Sequence, residues 1–133
     1  MNSYSKVMLK SEDIYQLINK LVGIGWKSIR ESSINRIIYL SAVLYSFRYP
    51  NEINIFETDY QFSVTLSGPE DAEIEKALIN LESNEVVEHT EAGYVLKPSN
   101  QILFKTPNLF KMKPFTFLSS DVIMTLSSEV SSL

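Results

Sequence analysis

Asp71 and Glu75, four residues apart with Glu70 and Glu73 beside them, are the residues of this chain best spaced for chemistry. On one turn of helix, carboxylates so placed could hold a hard divalent cation or share a proton. The same stretch carries Ile74, Leu78 and Leu81 at helical spacing, which turns the acids towards water. A solvated helix face is therefore the expected role. His89 is the sole histidine and has no cysteine or second histidine with which to share a metal. No serine sits in a G-x-S-x-G turn, and four glycines supply no phosphate-cradling loop. These observations point to a protein that is not an enzyme and uses no cofactor or metal.

Charge is distributed unevenly. Eight of the sixteen acids (Glu70, Asp71, Glu73, Glu75, Glu82, Glu85, Glu88 and Glu91) fall in residues 70–91, against the single base Lys76. Lys97, Lys105, Lys111 and Lys113 follow with no acid among them, so an acidic centre precedes a weakly basic strip. The absence of cysteine excludes disulfides and thiol chemistry. No apolar run approaches the ~18 residues of a membrane span and the start shows no signal-peptide pattern, so the cytoplasm is the expected compartment.

The elements that position these residues follow from apolar spacing. Ser11 is a candidate N-cap, and Ile14, Leu17, Ile18, Leu21 and Val22 recur along one helical face that Gly23 and Gly25 terminate. A second helix is expected over 33–48, with a broad stripe of Ile34, Ile37, Ile38, Ser41, Leu44, Tyr45 and Phe47, ended by Pro50. Tyr60, Phe62, Val64 and Leu66 alternate with polar residues as in a half-buried strand. Ser67, with Glu70 three residues later and Pro69 between, has capping-box spacing, which predicts a third helix starting within two residues of Ser67. After Asn84 the period changes, and a turn at Glu91 to Gly93 should join two strands into a hairpin. Ile18, Leu21, Ile37, Ile38, Leu44, Ile74, Leu78 and Leu81 should form the core.

This order describes a mainly α fold with a small β-hairpin, a winged helix-turn-helix over 11–98, with a C-terminal extension at 99–133. In such a fold the third helix would read DNA, presenting Lys, Arg, Asn or Gln to a phosphate-lined groove. Here it presents Glu70, Asp71, Glu73 and Glu75, each a Coulombic penalty beside phosphate. Specific DNA binding by the third helix is not expected; the lysines after Lys97 leave a sequence-independent contact open. The extension is interrupted by Pro107 and Pro114 and carries Phe104, Phe110, Phe115 and Phe117, a composition suited to packing or partner binding. Partner-binding candidates are thus Glu70, Asp71, Glu73, Glu75 and those four phenylalanines.

The segment Ile34 to Tyr45 (INRIIYLSAVLY), the stretch YQFSVTLSGPEDAEIEKALINLESNEVVE and the closing Gly93 to Leu96 resemble the small middle components of bacterial ABC-three-component systems. A related pattern occurs in SocA-like antitoxin domains, and a looser similarity exists to winged-helix subunits that bind kleisins. The first resemblance implies a winged-helix adaptor without catalytic residues, acting beside an SMC-like ATPase in anti-phage or anti-plasmid defence. Its implied partner is that ATPase; the apolar extension would pack on a second copy or a larger partner, and no membrane contact is expected. The second implies the alternative, a DNA-binding transcriptional regulator or antitoxin. The resemblance covers residues 14–96 and leaves 99–133 uncovered.

Overall fold

The computed structural model describes residues 3–54 and 60–97, with side chains from Lys10 onward. The elements in chain order are α1 (Ser3–Gly23), α2 (Glu31–Arg48), β1 (Ser63–Thr65), β2 (Gly68–Glu70), α3 (Ala72–Ser83), β3 (Val87–Thr90) and β4 (Gly93–Leu96). Among the described residues this is a mixed α and β arrangement of three helices and two small antiparallel hairpins, where the sequence had suggested a single hairpin.

Helix α1 begins eight residues before the expected cap. Ser11 lies inside it, fully buried, and its Oγ donates to the carbonyl of Ala77 on α3 while accepting from Nδ2 of Asn80. A residue type suited to capping is used here as a polar tie between two packed helices, because a hydroxyl facing a neighbouring helix must find a partner. Ile14, Leu17, Ile18 and Leu21 line the buried face of α1 as their spacing requires, whereas Val22 turns outward. Helix α2 starts at Glu31 rather than Ser33, with Arg30 at the cap position and no side-chain cap. Its Ile34, Ile37, Ile38, Ala42 and Tyr45 are buried. Leu44, an expected core position, is only half-buried, and Phe47 of the expected apolar stripe is exposed.

The largest departure is at Ser67. The third helix starts at Ala72, and Gly68–Glu70 forms β2, paired antiparallel with β1 so that Val64 faces Pro69 and Thr65 faces Gly68. Gly68 has φ +113, a conformation that favours glycine and closes the two-residue turn at Leu66 and Ser67. Thr65 Oγ1 accepts from the N–H of Ser67 and donates to the Gly68 carbonyl. Ser67 and Glu70 are thereby committed to a hairpin and cap nothing. Only the start of the expected half-buried strand is covered, since Tyr60 is buried while Val64 and Leu66 project from the hairpin.

The second hairpin turns where expected, with Thr90 paired to Gly93 across Glu91 and Ala92. Ile29, between α1 and α2, adds a bridge to β4: its N–H donates to Tyr94 O at 2.9 Å and accepts the Tyr94 N–H at 2.7 Å through its carbonyl. Gly93 lets this contact form. A Cβ there would lie 2.7 Å from the Ile29 carbonyl oxygen, and its φ is +126. The core unites Ile29 with Ile74, Leu78 and Leu81 of α3 and Val86, Val87 and Tyr94 of the hairpin. Residues 99–133, and with them Phe104, Phe110, Phe115 and Phe117, lie outside the described residues.

Candidate interaction surface

Helix α3 is positioned from its first residue. Asp71 caps it, with Oδ1 accepting the Glu73 N–H at 2.8 Å. Oδ2 accepts the N–H of Gln61 at 3.0 Å, and the Asp71 N–H donates to Oδ1 of Asn35 on α2 at 3.0 Å. Asn35 in turn donates through Nδ2 to the Glu31 carbonyl. Asp71 is therefore 5% exposed and fully employed in holding α2, the segment that leads into β1, and α3 together. Its expected place on a partner-facing acidic surface is corrected: a carboxylate at a helix N-terminus finds its donors in the chain's own backbone.

The acids on either side of Asp71 do reach the surface. Glu70 and Glu75 are exposed, while Glu73 is half-buried and forms a surface ion pair with Lys76 at 3.4 Å. Pairs of this exposed kind contribute little to stability. Glu31, in the first turn of α2, joins this face. Its carboxyl is held above the ordinary glutamate range by partial burial, then by Glu75 and Glu70, with His89 acting in the opposite direction. The Tyr94 hydroxyl is likewise pushed up by burial, with Glu31, Glu82 and Glu75 adding to the shift. The His89 ring stacks on Tyr94 with centroids 4.3 Å apart and planes within 5°. The fold thus gathers Glu31, Glu75 and Glu82 from two helices around Tyr94 of the β3–β4 hairpin, with Glu70 close enough to act on Glu31. Sequence spacing could find the α3 acids but not Glu31, which lies far away in the chain.

Chemically, this face offers negative potential and the exposed His89 ring, which is stacked on the buried Tyr94. Among the described residues no group of three or more His, Asp or Glu side chains is disposed to hold a metal. Nor does any described helix have the length and apolarity to cross a membrane.

A second surface was not legible as such. Phe47 (81% exposed), Ile53 (83%) and Val64 (80%) stand in water with Leu66 and, less fully, Val43. The hairpin that bears Val64 and Leu66 is held against α2 by the Tyr39–Phe62 edge contact and by Arg36, whose Nη2 donates to the Ser67 carbonyl. The available signal was the spacing of Val43 and Phe47, four residues apart on the side of α2 opposite Ile38 and Tyr45.

No family model, curated protein or solved structure matches the chain.

Proposed function

We propose that this chain is a non-catalytic adaptor of winged-helix type that docks a larger protein through the acidic side of α3 and the adjoining hairpin. The winged-helix reading is supported by the element order, with the Ile29 bridge acting as a third strand beside β3 and β4. The observation that carries the functional reading is the convergence of Glu31, Glu75 and Glu82 around Tyr94, with Glu70 acting on Glu31, on the side where a DNA-reading protein would present bases or amides. The link between α2 and α3 also argues against groove reading. A helix-turn-helix uses a turn of three or four residues, whereas here the chain detours through β1 and β2 before α3 begins.

A basic surface is the complement of such a face, and electrostatic steering would act mainly on association rate. The resemblance to middle components of ABC-three-component systems makes an SMC-like ATPase the proposed partner. Residues 99–133, with Phe104, Phe110, Phe115 and Phe117, extend this role as an apolar docking segment.

A salt-titrated duplex-binding assay on the full chain, run beside co-purification with the products of neighbouring genes, tests the reading. Negligible DNA binding at physiological salt and retention of a larger protein are expected. Tight, sequence-selective binding lost on substitution of α3 would establish the alternative, a transcriptional regulator or antitoxin.

A further inference from the structure

We propose that the outer ridge of α2 is a dimer interface, and that its occupant is a second copy of this chain packed antiparallel about a two-fold axis near Val43. Helix α2 is apolar on both sides. One side carries Ile34, Ile37, Ile38 and Tyr45 into the core. The other carries the exposed Val43 and Phe47, four residues apart as in helices that pack on helices, with Leu40 half-buried against the core at their margin. A helix that is apolar around so much of its girth is ordinarily covered on both sides.

Several features select a second copy as the cover. The ridge is apolar at both ends: Phe47 and Ile53 stand at the C-terminal end of α2, and Val64 and Leu66 project from the hairpin that Arg36 anchors beside the N-terminal half. An antiparallel copy brings each end against the other, which is the self-complementarity an isologous interface requires. Charge fits the same geometry. No charged residue occurs from Ile37 to Phe47 or from Gln61 to Pro69, so two acidic chains can meet here without opposing their acids. At the margin, Arg36 of one copy falls near Glu52 of the other. Glu52 already accepts the Tyr45 hydroxyl at 2.8 Å, and a carboxylate accepts several hydrogen bonds at once. In extent, Val43, Phe47, Ile53, Val64 and Leu66 together expose on the order of 700 Å² per copy, against roughly 800 Å² per partner in a standard interface. The acidic face around Tyr94 meets α2 only at Glu31, in its first turn, about three turns before Val43, and stays available in the dimer.

The chain contains no cysteine, which makes the test direct. Sedimentation of the full chain at about 50 μM should give a dimer, and Val43→Glu, which sets two carboxylates together at the axis, should weaken it at least tenfold. Val43→Cys should cross-link to its own copy on mild oxidation, whereas Ile79→Cys, exposed on α3 away from the ridge, should not. A monomeric wild-type chain overturns the proposal, including the case in which residues 98–133 of the same chain cover the ridge. So does a dimer indifferent to Val43→Glu, or equal cross-linking of the two cysteine variants.

Discussion

The main-chain N–H of Asp71 donates to Oδ1 of Asn35, 3.0 Å away and 36 residues earlier in the chain. This bond fixes the start of α3 against the N-terminal part of α2, and the Asp71 carboxylate completes the joint by accepting from Gln61 and Glu73. Three segments meet at one buried acid. Its role is therefore structural, although its spacing with Glu75 had suggested an exposed carboxylate pair.

Asp71→Ala should lower stability by about 1–2 kcal/mol, the range for losing a good N-cap, read as a shift in the denaturation midpoint at constant slope. Asp71→Asn should recover most of the loss, since an amide oxygen can still accept from Glu73. An alanine variant as stable as wild type would remove the joint from the account.

Gly93→Ala should be more damaging than its size suggests. Its φ of +126 disfavours any side chain, and the new Cβ would meet the Ile29 carbonyl oxygen at 2.7 Å. Strain of this kind costs about 1–3 kcal/mol. Separation of Ile29 from β4 should appear as faster amide exchange at Tyr94, whose N–H donates to Ile29. Unchanged protection at Tyr94 would contradict this reading of the bridge.

Much of this could be read from periodicity, and the failures have physical causes. Ile14, Ile18, Leu78 and Leu81 were legible because an apolar stripe at helical spacing has one stable use in water. The turn at Glu91 and Ala92 was legible because Gly93, the residue type that tolerates a positive φ, stands between two strand-like runs. Ser11 and Ser67 were misread for a shared reason: a serine before acids fits a cap, but the same hydroxyl or backbone can serve a helix interior or a tight turn. Only tertiary contacts, Ala77 for Ser11 and Arg36 for the hairpin, decide between these uses. Glu31 escaped notice because its neighbours Glu70 and Glu75 are distant in sequence, and a local pattern carries no such information.

The raised carboxyl of Glu31 gives a pH signature. Burial, then Glu75 and Glu70, disfavour its charged form in the folded chain, so the folded state binds this proton more tightly than the unfolded one. The contribution from this site is then most favourable below the unfolded pKa and is lost as pH rises through the raised folded value. Glu31→Gln should accordingly raise Tm at pH 7, with the advantage fading as pH falls towards the ordinary glutamate pKa of about 4.3. An advantage that persists unchanged at pH 3 would assign the effect to packing instead of charge.

Leu78→Ala tests the centre of the core. The side chain is fully buried between α1 and the elements around α3, and truncation leaves a cavity lined by residues that can only partly relax. A loss of about 2–5 kcal/mol is expected from chemical denaturation. A cost below about 1 kcal/mol, the scale of an ordinary surface substitution, would show that α3 is not packed as described.

The acidic face makes a prediction that needs no knowledge of the natural partner. Glu75 is exposed and close enough to Glu31 and Tyr94 to influence both, and Glu82 influences Tyr94. An oligolysine probe should therefore associate with the wild-type chain, and the association should weaken steeply as salt rises past about 0.1 M, where the screening length falls to ~10 Å. Reversing Glu75 and Glu82 to lysine should slow association and flatten its salt dependence, because steering acts through the summed field of the face. Reversing Glu91 alone, an acid of equal charge in the turn of the second hairpin, should do much less if position matters as well as net charge. Equal effects from Glu91 and Glu75, each reversed singly, would reduce the face to a matter of overall charge, and a partner surface would then have to be sought elsewhere on the molecule.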